Sequence, residues 1–287
     1  MNISQFVVPV ITGIATGMIT YLTASGMSLI ISGMGTINFG QGSFYVMGAL
    51  VSYMLIKAGS FPLAIALGFF VPFLFGSLVE LSLRPVSGKN MMYTVMITMG
   101  LTYIMQDLME LYWGGLPKTS TVPAALKSIV HIGKVFIPSY YIFIIIFSAA
   151  VAIAIWIIFE KTKLGITFRA IIDDKAMVES LGINVGKMFT IMFMIGIGLG
   201  GLAGALNIPI SGTAPQYAMS VFSNVIPVLI VGGMRNMKGA LPAALLLGFV
   251  QGVAAVFTPR FYNIVPYVFM VVCLFIKPNG IFTKKEV

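Results

Sequence analysis

No charged side chain occurs in the first 56 residues; the first is Lys57. An ordinary soluble domain has about one charged residue in four, so a run this long needs an apolar surrounding. A helix crossing a bilayer takes about 20 mostly apolar residues, which leaves room for two crossings before Lys57. The rest of the chain continues in kind. Of 287 residues, 59% are hydrophobic and 9% charged, and mean hydropathy is +1.02. Those figures exclude a soluble globular enzyme, a disordered chain, a collagen and a disulfide-rich module. The fold class expected is an all-α polytopic membrane protein, a single transmembrane domain over residues 1–287, with about eight or nine transmembrane helices.

The apolar runs place spans near 5–31, 37–56, 61–83, 91–112, 137–159, 188–209, 219–234, 239–257 and 262–277. The run 219–234 is short enough to be a half-span, so at least one helix is expected to be broken or re-entrant. The opening "MNISQ" has no basic n-region and reads as the start of a span, not as a signal peptide. No close tandem repeat is visible, and a remote one relating the halves stays open.

Charge gives the orientation. One set of loops holds Arg84, Lys89, Lys161, Lys163, Arg169, Lys175, Lys187, Arg235, Lys238, Lys277, Lys284 and Lys285. The other holds Lys57, Lys118, Lys127, Lys134 and Arg260. Twelve against five puts the first set in the cytoplasm, the N-terminus outside and the C-terminus inside. The net charge of +9 is thus a topology signal at a lipid bilayer and does not point to nucleic acid. With one cysteine, Cys273, and one histidine, His131, a Cys/His metal cluster is not expected.

The inner loop 160–187 gathers nine of the chain's 25 charges: Glu160, Lys161, Lys163, Arg169, Asp173, Asp174, Lys175, Glu179 and Lys187. Within it, "DDKAMVESLGI" predicts a short surface helix. Asp173 and Asp174 suit its first turn, and Gly182 suits the position just past its end. Ala176, Met177, Ser180 and Leu181 recur at helical spacing and form a small docking face. The plainer alternative is a solvated connector.

Polar groups at membrane depth mark the candidate path. "SGMGTINFGQGS" (32–43) has four glycines and five polar side chains, and irregular backbone there must face protein or a water-filled cavity. Asn38, Gln41 and Gly42 are the candidates. The alternative is that the glycines permit close packing and the amides cap a helix. Gln106, Asn207 and Asn224 are further lining candidates. Gly196, Gly200 and Gly204 share one helix face and predict close helix packing. Asp107 and Glu110 lie near the outer end of the fourth span, and Glu80 and Arg84 suit a local i,i+4 ion pair.

Several ordered blocks resemble the permeases of branched-chain amino acid ATP-binding-cassette (ABC) importers. They are "INFGQGSFYVMGAL" (37–50), "VELSLRPV" (79–86), "RAIIDDKAMVESLGINVGKMF" (169–189), "VLIVGGMRNMKGALPAALLLGFVQG" (228–252) and "KPNGIF" (277–282). The likeness runs end to end and is nearer the shorter member of the permease pair. Gln41 stands where the family often has His, Gly40 where it has Ala, and Arg235 enters a turn that is usually uncharged. The resemblance implies a second permease subunit, identical or sister, two cytoplasmic ATP-binding subunits and an extracytoplasmic solute-binding protein in the cell membrane. It implies that the helix near 173–182 seats in an ATPase groove, through Arg169, Asp173, Asp174, Ala176, Glu179, Leu181, Gly182 and Ile183. It also implies a solute cavity between two permease chains and alternating access.

No cofactor is expected on this chain. Its Gly-Lys pairs at 88–89, 133–134 and 186–187 lack the rest of a phosphate loop, so ATP and Mg belong to the partner subunits. The function expected is import of a branched-chain or other hydrophobic amino acid. Alternatives are urea, short amides or another small solute, or a stand-alone secondary transporter. The scarcity of mid-span carboxylates weighs against an ion-driven carrier, and it leaves little for an intramembrane enzyme to use.

Overall fold

The computed structural model describes residues 3–84, 91–132, 135–278 and 280–282. Eleven α-helices occur among them: α1 Ile3–Met34, α2 Gln41–Lys57, α3 Phe61–Leu83, α4 Met91–Trp113, α5 Ser139–Lys161, α6 Lys163–Asp173, α7 Lys175–Ser180, α8 Val185–Ser211, α9 Ala218–Gly232, α10 Met237–Phe257 and α11 Val265–Ile276. A helix coincides with each of the nine expected runs. Six helical segments among the described residues are long and apolar enough to cross a bilayer: Gln5–Met34, Phe61–Leu83, Ser139–Lys161, Val185–Ser211, Pro215–Gly232 and Met237–Phe257. At 17 residues α2 stands at the lower limit of a crossing, and α11, at 12, falls short of it. The link between α4 and α5 carries a small antiparallel hairpin, β1 Ile129–Ile132 with β2 Val135–Pro138.

Glycines set which helices touch. Gly13 lies against Gly248 and Gly252, and Gly17 against Ala244, so α1 and α10 run antiparallel with their backbones in contact. In the same way Gly76 meets Met194 and Gly68 meets Ala205, which makes α3 antiparallel to α8. The long helices α1 and α8 cross where Gly26 faces Gly196, with Gly33 beside Phe189, again antiparallel. Gln41 and Tyr45 of α2 follow Gly200 and Gly204 of α8 in the same direction.

These pairings describe a repeat with reversed direction. A long helix (α1) ends, an irregular link follows, a short helix (α2) starts, and α3 and α4 complete the unit. The order recurs as α8, link, α9, α10 and α11, running the other way. Both long helices end at a glycine with positive φ, Gly35 at +67° and Gly212 at +66°, where a side chain would strain the turn. The two short helices meet N-terminus to N-terminus: a Cβ on Gly42 would run into the Ala218 carbonyl, and Phe39 stacks on Phe222 at 4.4 Å. Inverted units of this kind place a binding site at their interface in many transporters. One hydrophobic cluster joins residues from both units.

The charged loop 160–187 differs from expectation. It holds two helices where one was expected. Asp173 closes α6 and does not open α7, because Asp174 is extended and its Oδ1 accepts from the Met177 N–H at 3.0 Å, so the break falls between them. The helix past that cap, α7, is six residues long, and Gly182 follows it at φ +79° as expected. The sequence gives α6 its own inward face: Gly165, Phe168 and Ile171 are buried, spaced three apart.

Candidate translocation site

A cavity of about 650 Å³ lies among the N-terminal part of α1, the C-terminal end of α8, α9, the C-terminal part of α10 and the start of α11. On α1 it runs from Pro9 to Thr23, about 21 Å of helix at 1.5 Å per residue. Thr12, Thr16 and Thr20 recur every four residues and so share the face that lines it. Each hydroxyl donates to its own helix: Thr12 to the Pro9 carbonyl, Thr16 to that of Gly13 and Thr20 to that of Thr16, all at 2.9 Å. Thr23, deepest of the α1 lining residues, is 1% exposed and its hydroxyl has no partner. No lining residue is charged. Hydroxyls and amides supply the polar groups, and Val, Leu and Tyr side chains supply the rest.

Asn207 and Asn224 line this cavity. The Asn224 side-chain oxygen accepts from the Tyr267 hydroxyl at 2.9 Å and ties α9 to α11. The remaining path candidates lie elsewhere. Gln41 is fully buried; its amide donates to the Gly196 carbonyl at 2.9 Å and its own oxygen has no partner. Asn38 accepts from the Gly40 N–H at 3.0 Å, which turns the link into α2, and its Nδ2 has no partner. Gly42 sits at the junction with Ala218, and Gln106 is half-buried on α4. Gly196 packs on α1, while Gly200 and Gly204 pack on α2. Sequence reasoning passed over Thr12, Thr16, Thr20, Thr23 and Tyr45. The four-residue spacing of threonines in an uncharged run was the available signal.

At the opposite end of the bundle, Ile171, Val178, Val185 and Met188 form a small cluster that anchors α7 through Val178. The opposite side of α7 is bare: Met177 is 58% and Leu181 67% exposed, and Ala176, Glu179, Gly182 and Ile183 are exposed beside them. Arg169 turns the other way, pairing with Glu160 at 3.3 Å, and Glu160 also pairs with Lys238 at the start of α10. Phe168 lies against Gly33 at the end of α1. The loop therefore touches α1, α5, α8 and α10.

Residues 10–274 match the family described as the permease component of branched-chain amino acid transport systems. The chain belongs to that family. Among relatives of this permease, the high-affinity branched-chain amino acid permease protein LivH of Salmonella typhimurium is 24% identical, covering 98% of this chain and 97% of its own. BraD of Pseudomonas aeruginosa, described likewise, is 24% identical over 100% and 98%. The guanosine ABC transporter permease NupQ of Bacillus subtilis is 32% identical over 56% and 50%. No solved structure matches.

The blocks that resembled the family occupy structural junctions in this permease. Residues 37–50 run from the irregular link into α2, and 228–252 contain the α9–α10 turn, where Gly232 and Gly239 touch. That turn is pinned from two sides. Ser32 of α1 donates to the Arg235 carbonyl at 3.0 Å, and Asn236 donates to the Phe282 carbonyl at 2.9 Å. Arg235 thus enters the turn through its backbone. The expected Glu80–Arg84 pair is present at 2.9 Å, and Thr190 of α8 donates to the same carboxylate at 2.8 Å, which fastens α3 to α8.

Proposed function

We propose that this permease is a membrane subunit of an ABC importer that moves a branched-chain or other hydrophobic amino acid into the cytoplasm by alternating access. The supporting observation is the pairing of two features at opposite ends of one bundle: a polar, uncharged cavity at one, and α7 with its bare apolar side at the other. α7 is held from beneath by Val178, so a load on Met177 and Leu181 passes to α8 through Val185 and Met188. Two ATP-binding subunits supply ATP and Mg, one of them receiving α7, with Leu181, Gly182 and Ile183 at its tip. A solute-binding protein docks outside, and a second permease subunit completes the membrane part. On this reading the chain has eight or nine spans in the cell membrane, N-terminus outside and C-terminus inside, with α2 and α9 as the broken helices.

The test is co-expression of the permease with its candidate ATPases and binding protein, then uptake of labelled leucine into vesicles. ATP-dependent uptake that needs the binding protein is the expected result. Uptake that persists without ATP, by a chain that copurifies with no ATPase, would overturn the proposal. Urea and short amides serve as competing solutes in the same assay.

A further inference from the structure

We infer that the corner between α5 and α6 binds an anionic phospholipid, its phosphate held by Lys161 and Lys163 and its acyl chains laid along the exposed face of α5. The inference needs α5 to span the bilayer. It does not depend on which solute is moved or on what drives it.

α5 is the most apolar of the six candidate spans. Ile146, Ile153 and Ile157 are exposed along one side of it, spaced seven and four residues apart. Trp156 is half exposed on the same side, and a tryptophan near a span end marks the membrane–water interface. Lys161, about 7.5 Å further along the helix, folds back so that its Nζ lies 5.7 Å from the centre of the Trp156 ring. The chain then breaks at Thr162, which is extended. α6 turns back closely enough that a Cβ on Gly165 would run into the Phe159 carbonyl. The first turn of α6, with Lys163, Leu164 and Ile166 all exposed, therefore lies against the end of α5.

Charge balance points to the ligand. Arg169 and Lys238 both pair with Glu160, and Arg169 also donates to the Phe159 carbonyl. Lys161 and Lys163 have no carboxylate partner among the described residues. Four cations thus stand at the corner with one carboxylate. The next ones, Asp173 and Asp174, lie at the far end of α6, about 15 Å away at 1.5 Å per residue. The corner is therefore positive where it meets lipid, with apolar side chains on either side. An anionic headgroup supplies the missing charge, while Ile153, Ile157 and Ile166 receive the acyl chains. A zwitterionic lipid brings its own cation and gains less. The occupant would fasten α6 to α5 at the point where Glu160 also reaches Lys238 of α10.

The chain has two tryptophans, which makes the corner readable. The Trp113 indole N–H has no partner, so Trp113→Phe removes no hydrogen bond and leaves Trp156 alone. The full chain with that change is placed in nanodiscs of phosphatidylcholine and phosphatidylglycerol in equal parts. One lipid or the other carries brominated acyl chains, which quench an indole on contact. The ratio of the two quenching levels gives the lipid preference at Trp156. We expect phosphatidylglycerol to be preferred about fivefold or more, the scale of one lysine's attraction to an anionic surface. Lys161→Gln with Lys163→Gln should at least halve that preference. Lys163→Gln alone, which leaves the contact of Lys161 with the indole intact, should give part of the loss. Lys187→Gln, exposed elsewhere on the same loop, should give none. No preference, a preference that the double variant lowers by less than half, or an equal loss in Lys187→Gln would overturn the inference. So would loss of the preference on adding inorganic phosphate against chloride of equal ionic strength, which would assign the site to a soluble anion. Uptake is not measured, so none of these failures touches the importer reading.

Discussion

The Gln41 side-chain amide donates to the Gly196 carbonyl at 2.9 Å. The first residue of α2 is thereby fastened to the middle of α8, at the level where Gly196 also touches Gly26 of α1. Three helices from both inverted units share this one point.

That crossing tolerates no added carbon. A Cβ on Gly26 would run into the Gly196 carbonyl, and backbone cannot yield as a side-chain tip can. Overpacking a tight core costs about 1–3 kcal/mol, and we expect Gly26→Val to reach at least the top of that range. Thermal unfolding in detergent should show it. A melting temperature equal to the parent's would contradict the contact.

Glu80 is 1% exposed and receives hydrogen bonds from Arg84 and Thr190. Removing one partner of a fully buried pair costs about 3–5 kcal/mol. Arg84 is 42% exposed, so water screens part of its attraction. Arg84→Ala should therefore cost about 1–2 kcal/mol, and Arg84→Lys less. Equal melts for the alanine and lysine variants would show that the charge pair does not fasten α3 to α8.

For α7, fold and function should separate. Leu181 is 67% exposed, so Leu181→Asp removes little packing and should leave folded yield unchanged. On the proposed importer reading, solute-stimulated ATP hydrolysis by the assembled transporter should fall about tenfold or more, because a charge would replace an apolar contact with the ATPase. Asp174→Ala instead removes the helix cap, worth about 1 kcal/mol, and should weaken coupling less. Normal coupling in Leu181→Asp would remove α7 as the point of contact.

The pattern behind the nine expected runs, each of which coincides with a helix, was apolar length with few charges, and it served because lipid demands it. What it missed depends on partners distant in sequence. Asn38 and Gln41 stood out because glycines surround them, yet Gln41 spends its amide on Gly196, 155 positions away. Thr12, Thr16 and Thr20 passed as ordinary members of an apolar run, because a threonine that bonds to its own helix is tolerated in lipid and in a cavity alike. Only the position of α9 relative to α1 distinguishes the two. The division of the inner loop into α6 and α7 was hidden because Asp173 and Asp174 are equally good caps, and tertiary packing of Ile171 chose between them.

The charge-free lining gives the last prediction. Thr20 lies on the α1 face that lines the cavity, one turn short of Thr23, and Thr20→Asp would place a single negative charge there. At roughly 8 Å and an effective dielectric of about 30, one unit charge attracts another by about 1.4 kcal/mol, a factor of ten in local concentration. Cationic and anionic methanethiosulfonates of equal size, applied to Asn224→Cys, should therefore react in a ratio raised about tenfold by Thr20→Asp. Both rates are normalised to an exposed control cysteine. Salt should change that ratio little, because screening is weak in a narrow cavity. A ratio unaffected by Thr20→Asp would mean that Thr20 and Asn224 do not share one water-filled space.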